Sequence, residues 1–323
     1  MKVGLAVAMQ ESASSEEADF TSAAELEDML AFFRGMGHQP VTIDFSAPFE
    51  KVIEEISRND PHLIFNTIEQ VRGELHPSGF VPSMSRALGR PCTGPGPRAI
   101  TLGSDKWLTK RTVGSGEVRF ARDVRVTSRN PFDGRELESV YPVIVKPNFG
   151  GSSQGIGIGS VAHSPAEVAS ALEELTGFLE AGVLIEEFIP GRDITVGLVE
   201  SNGDWRVLAP IEYETPPTAG EHLLTEELKT WAGWGQVKPR RAEILVPEQT
   251  AELRDYAVAM ARGVGAATAA RVDFRLSEKD HRLYALEINV IAAIEAEAGL
   301  ALSAQHAGLD HSDLISHILS NAH

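Results

Sequence analysis

From Val3 to Thr67 the chain alternates short apolar runs with amphipathic stretches. The run Val3 to Ala8 predicts a buried strand; Leu26, Met29, Leu30 and Phe33 recur at i, i+3, i+4 and i+7 and predict a helix that Gly35 and Gly37 end. Val41 to Phe45 gives a second strand, Phe49, Val52, Ile53 and Ile56 a second helix, and His62 to Thr67 a third strand. Strands alternating with helices imply a parallel sheet, with ligands expected beyond the carboxyl ends of its strands. The loops Gln10 to Asp19 and Asn66 to Ser78 leave those ends; both are rich in acids and hydroxyls, which suits a polar small molecule.

Pro91-Cys92-Thr93-Gly94-Pro95-Gly96-Pro97 punctuates the chain and marks a boundary, after which a new unit starts. Asp105 to Lys110 reads as helical; a polar stretch follows, then the strand Val143-Ile144-Val145, ending at Lys146-Pro147. Pro165 to Leu179 predicts a helix with Ser164 as N-cap. Val183 to Ile189 is a strand with two acids near its end, and Pro190 to Asp193 turns into the next strand, Ile194 to Val199. Glu212 to Lys238 is long, polar and weakly patterned around a short helix, Thr225 to Trp231; long ordered loops often act as lids. Leu253 to Arg262 and Ala301 to Leu319 read as helices, and His306, His311 and His317 of the tail share no helical face, so they are expected at the surface or at helix ends.

The richest stretch is Ala270 to Asn289. Apolar residues alternate at Val272/Phe274/Leu276 and again from Leu283 to Ile288, with a polar turn at Ser277 to His281 between them, which predicts a hairpin. Glu287 and Asn289, two apart, project from one face, and Asp273 lies on the facing strand. Alone, either carboxylate could be a solvated strand end. Grouped in an apolar setting, two carboxylates and an amide suit a hard cation that keeps some waters and takes its remaining ligands from a substrate phosphate.

Composition narrows the function classes. Forty-six acidic against 29 basic residues give a net charge of -17, which disfavours nucleic acid and anionic membrane surfaces as partners. Cys92 is the single cysteine, so an intrachain disulfide and a cysteine zinc site are both excluded, and a cytoplasmic setting is expected. No run approaches the length of a membrane-spanning helix.

Asn148-Phe149-Gly150-Gly151-Ser152-Ser153-Gln154-Gly155 follows Lys146 and offers backbone N–H groups and hydroxyls to phosphate oxygens. Gly151 to Gly155 also fits the hydrolase elbow G-x-S-x-G, but that motif needs a helix directly after it, and Gly155 to Gly159 alternates like a strand. A dinucleotide fingerprint at Gly157 to Ala162 fails for the same reason, and no Walker sequence occurs.

Together D-K-x-L-T-K at Asp105 to Lys110, P-V-I-V-K-P at Pro142 to Pro147, G-S-S-x-G at Gly151 to Gly155, V-L-I-E-E-F-I-P-G-R-D at Val183 to Asp193, and R-V-D-F with E-I-N near the end resemble the ATP-grasp superfamily, and within it the D-alanine–D-alanine ligase family, over nearly the whole chain. The resemblance implies an α/β (α+β) ATP-grasp fold: a Rossmann-like parallel-sheet unit at 1–98, a lid subdomain at 99–186 and an antiparallel-sheet catalytic unit at 187–323. It implies ATP and Mg²⁺ (or Mn²⁺) as cofactors, small carboxylate and amine substrates such as amino acids, and a homodimer through the first unit. Carried over by position, Lys106 and Lys146 hold nucleotide phosphates, with Gly151, Ser152 and Ser153 closing over them; Glu186, Glu187 and Ile189 meet adenine and Asp193 the ribose. Asp273, Glu287 and Asn289 bind the metal, Arg271 stabilises the oxyanion, Lys229 resembles a lid lysine at the transferred phosphoryl group, and Glu17 resembles the acid that fixes the first substrate's amino group.

The chain departs from the family where the second substrate is held. The D-alanine enzymes carry a proline-glycine turn and hydroxyl residues after E-x-N; here the residues are Val290-Ile291-Ala292-Ala293-Ile294-Glu295-Ala296-Glu297-Ala298. Hydrogen-bond donors for a carboxylate are lost and two carboxylates are added, which argues against a simple D-alanine acceptor. The expectation is an ATP-dependent carboxylate–amine ligase with an altered acceptor pocket. The competing readings are a genuine D-alanine–D-alanine ligase and a nucleotide-binding protein without turnover.

Overall fold

The computed structural model describes residues 1–11, 20–68, 79–113, 116, 118–133, 140–218, 221–229 and 231–323. The chain opens as expected with β1 (Lys2–Val7), α1 (Ala23–Gly35), β2 (Gln39–Asp44), α2 (Phe49–Asn59) and β3 (Leu63–Asn66), and the three strands form a parallel sheet in the order β2-β1-β3. Helix α1 starts at a reciprocal cap: the Ser22 hydroxyl accepts from the Glu25 N–H, and the Glu25 carboxylate accepts from the Ser22 N–H. Gly37 follows it at φ +80°, a left-handed turn that glycine adopts without strain.

Three helices follow: α3 (Phe80–Ala87), α4 (Pro97–Ser104) and α5 (Lys106–Val113). The first two are not predicted from the sequence. Pro97, counted with the boundary, is in fact the first residue of α4, where its missing N–H costs nothing.

The four-stranded antiparallel sheet, in the order β4-β7-β5-β6, contains β4 (Asp123–Val126), β5 (Val143–Pro147), β6 (Val161–Ala162) and β7 (Val183–Glu187), with α6 (Pro165–Glu174) packed on it. β4 lies inside the stretch read as merely polar. The alternation Gly155 to Gly159 is not a strand: a single 3₁₀ turn at Ile158–Ser160 leads into the two-residue β6, and Ile158 stands 64% exposed, with no core for an alternating face to meet.

The remaining strands are β8 (Gly191–Ser201), β9 (Asp204–Glu214), the short pair β10 (Pro217–Thr218) and β11 (Glu221–His222), and β12 (Lys238–Arg241), β13 (Ala269–Ser277) and β14 (Leu283–Asn289). Between them come α7 (Glu226–Lys229), α8 (Trp231–Trp234) and α9 (Pro247–Val264); α10 (Gly299–His306) and α11 (His311–Ser320) close the chain. β12-β9-β8-β13-β14 is a five-stranded antiparallel sheet, and β13–β14 is the predicted hairpin. The tail, read as one helix, breaks at Gly308 (φ +82°). His306, His311 and His317 lie in terminal turns of α10 and α11, as expected, and the Nε2 atoms of His311 and His317 meet the carbonyls of Ile294 and Glu200, which ties α11 down.

The five-stranded sheet is covered on both faces. Leu253, Ala257 and Met260 of α9 pack on Val196, Val272 and Phe274, and Ile100 and Val113 of α4 and α5 join that core, although the sequence division groups them with 99–186. On the other face, Leu300, Ala304, Leu314 and Ile318 fill the space between this sheet and Val3, Leu5 and Phe65 of the first. No helix among the described residues is long and apolar enough to cross a membrane.

Candidate active site between the two antiparallel sheets

Helix α5 carries Lys106 and Lys110 four residues apart, so both leave the same helical face. Its start is fixed by Asn148 at the end of β5: the Asn148 Oδ1 accepts from the Trp107 N–H at 2.9 Å, and its Nδ2 donates to Asp105 Oδ1, also at 2.9 Å. Lys106 Nζ then donates to the Gly150 carbonyl (2.8 Å) and lies 3.3 Å from Glu287 Oε2, joining the glycine-rich loop of one sheet to β14 of the other. Lys110 Nζ is 2.5 Å from Glu186 Oε1 on β7, and Lys146 Nζ, from the neighbouring β5, is 2.6 Å from Glu186 Oε2. All three groups are buried. Burial alone would raise the Glu186 pKa, but the two ammoniums outweigh it and hold the carboxyl at about 2.

The hairpin register sets Asp273 directly opposite Glu287 and Arg271 opposite Asn289. Arg271 grips Asp273 with two parallel bonds, Nε to Oδ1 at 3.0 Å and Nη2 to Oδ2 at 2.9 Å. Thr195 on β8 donates to Asp273 Oδ1 at 2.5 Å, and the Asn289 amide donates to Oδ2 at 3.1 Å. Burial opposes ionisation of Asp273, but Arg271, Thr195 and the Lys229 ammonium together keep its pKa below the usual carboxylate value. Tyr213 of β9 flanks the same group; burial pushes its phenol up to about 12, so it stays a protonated donor. A Cβ on Gly299, the first residue of α10, would sit 2.5 Å from the Tyr213 hydroxyl and 3.0 Å from Arg271 Cδ. Only glycine lets α10 begin this close to the arginine.

The glycine-rich loop turns through left-handed backbone at Gly150 (φ +95°), Ser152 (+48°), Ser153 (+56°) and Gly155 (+70°). Two of those positions carry side chains, and such strain persists only where surrounding contacts enforce it. At the far end of the loop α7 holds the chain: Glu226 Oε2 accepts from the Gly155 N–H at 2.7 Å, and the Glu226 N–H donates to the Ile156 carbonyl at 2.9 Å. The lid segment bearing Lys229 is therefore fastened to the loop.

At the β7–β8 passage, Arg275 donates from Nε to the Ile189 carbonyl and from Nη1 to Asp193 Oδ1, both at 2.7 Å. The Asp193 carboxylate, expected at a ribose from the sequence, is thus already paired with Arg275. Glu186 is constrained in the same way, since both its oxygens face ammoniums.

One cavity of about 460 Å³ brings these groups together. Every residue singled out from the sequence lines it except Glu17, which lies outside the described residues. Glu295, Glu297, Ala298 and Gly299 of the divergent loop line it as well. Sequence reasoning missed Thr195, Tyr213, Glu226 and Arg275, and it gave Lys110 no role. Only Lys110 had a legible signal, its helical spacing from Lys106.

Asp273, Glu287 and Asn289 offer hard oxygen donors and no sulfur or imidazole. Among the described residues no group of three or more His, Cys, Asp or Glu could cage a metal alone. That donor set fits Mg²⁺, which takes one or two carboxylates and completes its shell from water and substrate phosphate.

A family model described as the D-ala D-ala ligase C-terminus matches residues 120–320. An uncharacterised protein of Sinorhizobium fredii is 31% identical over 310 residues, covering 92% of this chain and 87% of the relative. A D-alanine–D-alanine ligase of Coprothermobacter proteolyticus is 30% identical over 301 residues, covering 92% and 93%. Among solved structures, the D-alanine–D-alanine ligase of Bacillus anthracis complexed with ATP superposes with a TM-score of 0.75 at 20% identity, over 99% of this chain and 97% of that one. The last likeness carries the fold.

Proposed function

The chain belongs to the D-alanine–D-alanine ligase family of ATP-grasp enzymes, and from that premise we propose that it joins a small carboxylic acid, such as an amino acid, to an amine other than D-alanine. It is an ATP-dependent ligase that forms carbon–nitrogen bonds. The observation that carries the ligase part of the reading is the pairing of Asp273 with Glu287 and of Arg271 with Asn289 across one hairpin, facing Lys106, Lys146 and Lys229 over a single cavity.

In this reading Lys106 and Lys146 neutralise the phosphate chain of ATP, while the N–H groups of Gly151, Ser152 and Ser153 cover it. Asp273, Glu287 and Asn289 hold Mg²⁺, which when bound offsets the phosphates' negative charge. A carboxylate oxygen of the first substrate attacks the γ-phosphorus and ADP leaves, giving an acyl phosphate, with Lys229 at the transferred group. The amine then attacks the acyl carbon, loses a proton and expels inorganic phosphate. Arg271 and the Tyr213 hydroxyl steady the oxyanion. Glu17 fixes the first substrate's amino group. We also retain the three-unit division and the dimer as proposals, with α4 and α5 packed on the catalytic sheet.

The altered acceptor rests on the loop after Asn289, where Ala293, Glu295, Glu297 and Ala298 line the cavity. A carboxylate-bearing acceptor meets like charge there and no side-chain hydroxyl. The second reading, ligation of two D-alanines, is favoured by the Coprothermobacter relative.

Both are tested by ADP release from ATP and Mg²⁺ across a panel of D- and L-amino acids, small acids and amines, singly and in pairs. Turnover that needs a particular pair supports the altered acceptor. Full turnover on D-alanine alone sinks it and leaves the second reading. Asp273→Asn is expected to lower turnover at least about a hundredfold with any productive pair, since it removes a charge that both Arg271 and the metal require.

A further inference from the structure

Lys110 does not line the cavity, yet it is buried and shares Glu186 with Lys146, which does. The Phe120 ring lies 5.8 Å from its ammonium and helps close it off. The three groups carry two positive charges and one negative. Lys106 and Glu287 beside them cancel. The buried set therefore holds one surplus positive charge, and Lys146 is its member on the cavity wall.

Without Lys110, the remaining Lys146 and Glu186 would be a neutral pair 2.6 Å apart. Such a pair holds its own protons and acceptors and offers little to an incoming anion. With Lys110 present, Glu186 is neutralised from behind, and the Lys146 ammonium keeps donor capacity and net charge toward the cavity. The helix geometry makes this possible: one α5 face sends Lys106 to the glycine-rich loop and Lys110 to the back of Glu186.

We propose that Lys110 is a positioning residue for nucleotide binding, acting through Glu186 to keep Lys146 available to the phosphates. It rests on the ATP reading of the cavity, and its test needs no knowledge of the other substrates. The probe is ADP with Mg²⁺, titrated calorimetrically into the purified full-length protein, with circular dichroism to verify folding of each variant. Lys110→Met is expected to weaken ADP binding about tenfold or more, because the surplus charge falls from one to zero. Lys110→Arg, which keeps the charge, should stay within about threefold of the unaltered protein. The double variant Lys110→Met with Glu186→Gln restores one net positive charge on Lys146 and should recover most of the lost affinity.

A purely structural lysine predicts the reverse for the double variant, since a second buried partner has been removed. Unchanged ADP affinity in Lys110→Met, or no recovery in a folded double variant, overturns the proposal. Should Lys110→Met fail to fold, Lys110→Gln decides: it keeps a hydrogen-bond donor toward Glu186 but no charge, so it should weaken ADP binding about tenfold, and affinity within about threefold of the unaltered protein counts against the charge argument. Absence of ADP binding by the unaltered protein would remove the nucleotide reading itself, and Lys110's role with it.

Discussion

Glu186 shows how far a side chain's role can be read from its neighbours in sequence. Its motif, near a strand end before Phe188, Ile189 and a proline-glycine turn, marks the passage between two strands. Nothing in that motif says that the carboxylate turns inward to Lys110 and Lys146, because those residues come from α5 and β5 and meet it only in the fold. The pairing has a pH consequence. The folded carboxyl titrates at about 2 against an ordinary 4.5, so between those values the unfolded chain binds the extra proton. The contribution of Glu186 to stability is therefore complete above about pH 4.5 and is lost as the pH falls toward 2. Urea unfolding of the unaltered protein and of Glu186→Gln should show a stability gap that narrows as pH drops from 6 to 3. A gap that stays constant would mean that Glu186 is not held as an ion between the lysines.

At the scale of elements, the hairpin β13–β14 was the most legible part of the chain. Alternating apolar positions fixed which residues of β13 face the core; on β14 a bulge at Leu286, between Ala285 opposite Phe274 and Glu287 opposite Asp273, shifts the alternation and turns Glu287 and Asn289 to the side of Asp273. Elements whose signal is tertiary were not legible. Helices α3 and α4 are short and flank the proline- and glycine-rich run read as a boundary, and β4 has only four residues, three of them incompletely buried. The start of β8 shows the reverse, a short sequence signal with a strict packing cause. Gly191 pairs with Ser277 of β13, and a Cβ there would lie 2.0 Å from the Leu276 carbonyl oxygen. Gly191→Ala should therefore push the two strands apart beside Asp193 and Arg275 and destabilise the protein by about 3 kcal/mol, the upper range for overpacking. Chemical denaturation measures this directly; a loss below about 0.5 kcal/mol, the level of an ordinary surface change, would show that the strands yield there without cost.

For the molecule as a whole, the arrangement that matters is two antiparallel sheets with α5 between them. Lys106 touches elements of both, Lys110 and Lys146 converge on β7, and the hairpin closes the far side. The alternation of strands and helices from Val3 to Thr67 implied the parallel sheet, but periodicity alone said nothing about how the two antiparallel sheets face each other. The acceptor loop departs from the family pattern, and the proposal of an altered acceptor rests on it. The reaction chemistry is common to both acceptor readings and can be tested apart from them. With whichever substrates sustain ADP release, the carboxylate of the first is labelled with ¹⁸O and the inorganic phosphate is collected for mass spectrometry. An acyl phosphate carries one carboxylate oxygen into phosphate when the amine attacks, so each turnover should deliver one labelled oxygen to phosphate. Unlabelled phosphate, with the label retained in the product or lost to another leaving group, would contradict a ligase that works through an acyl phosphate at this site.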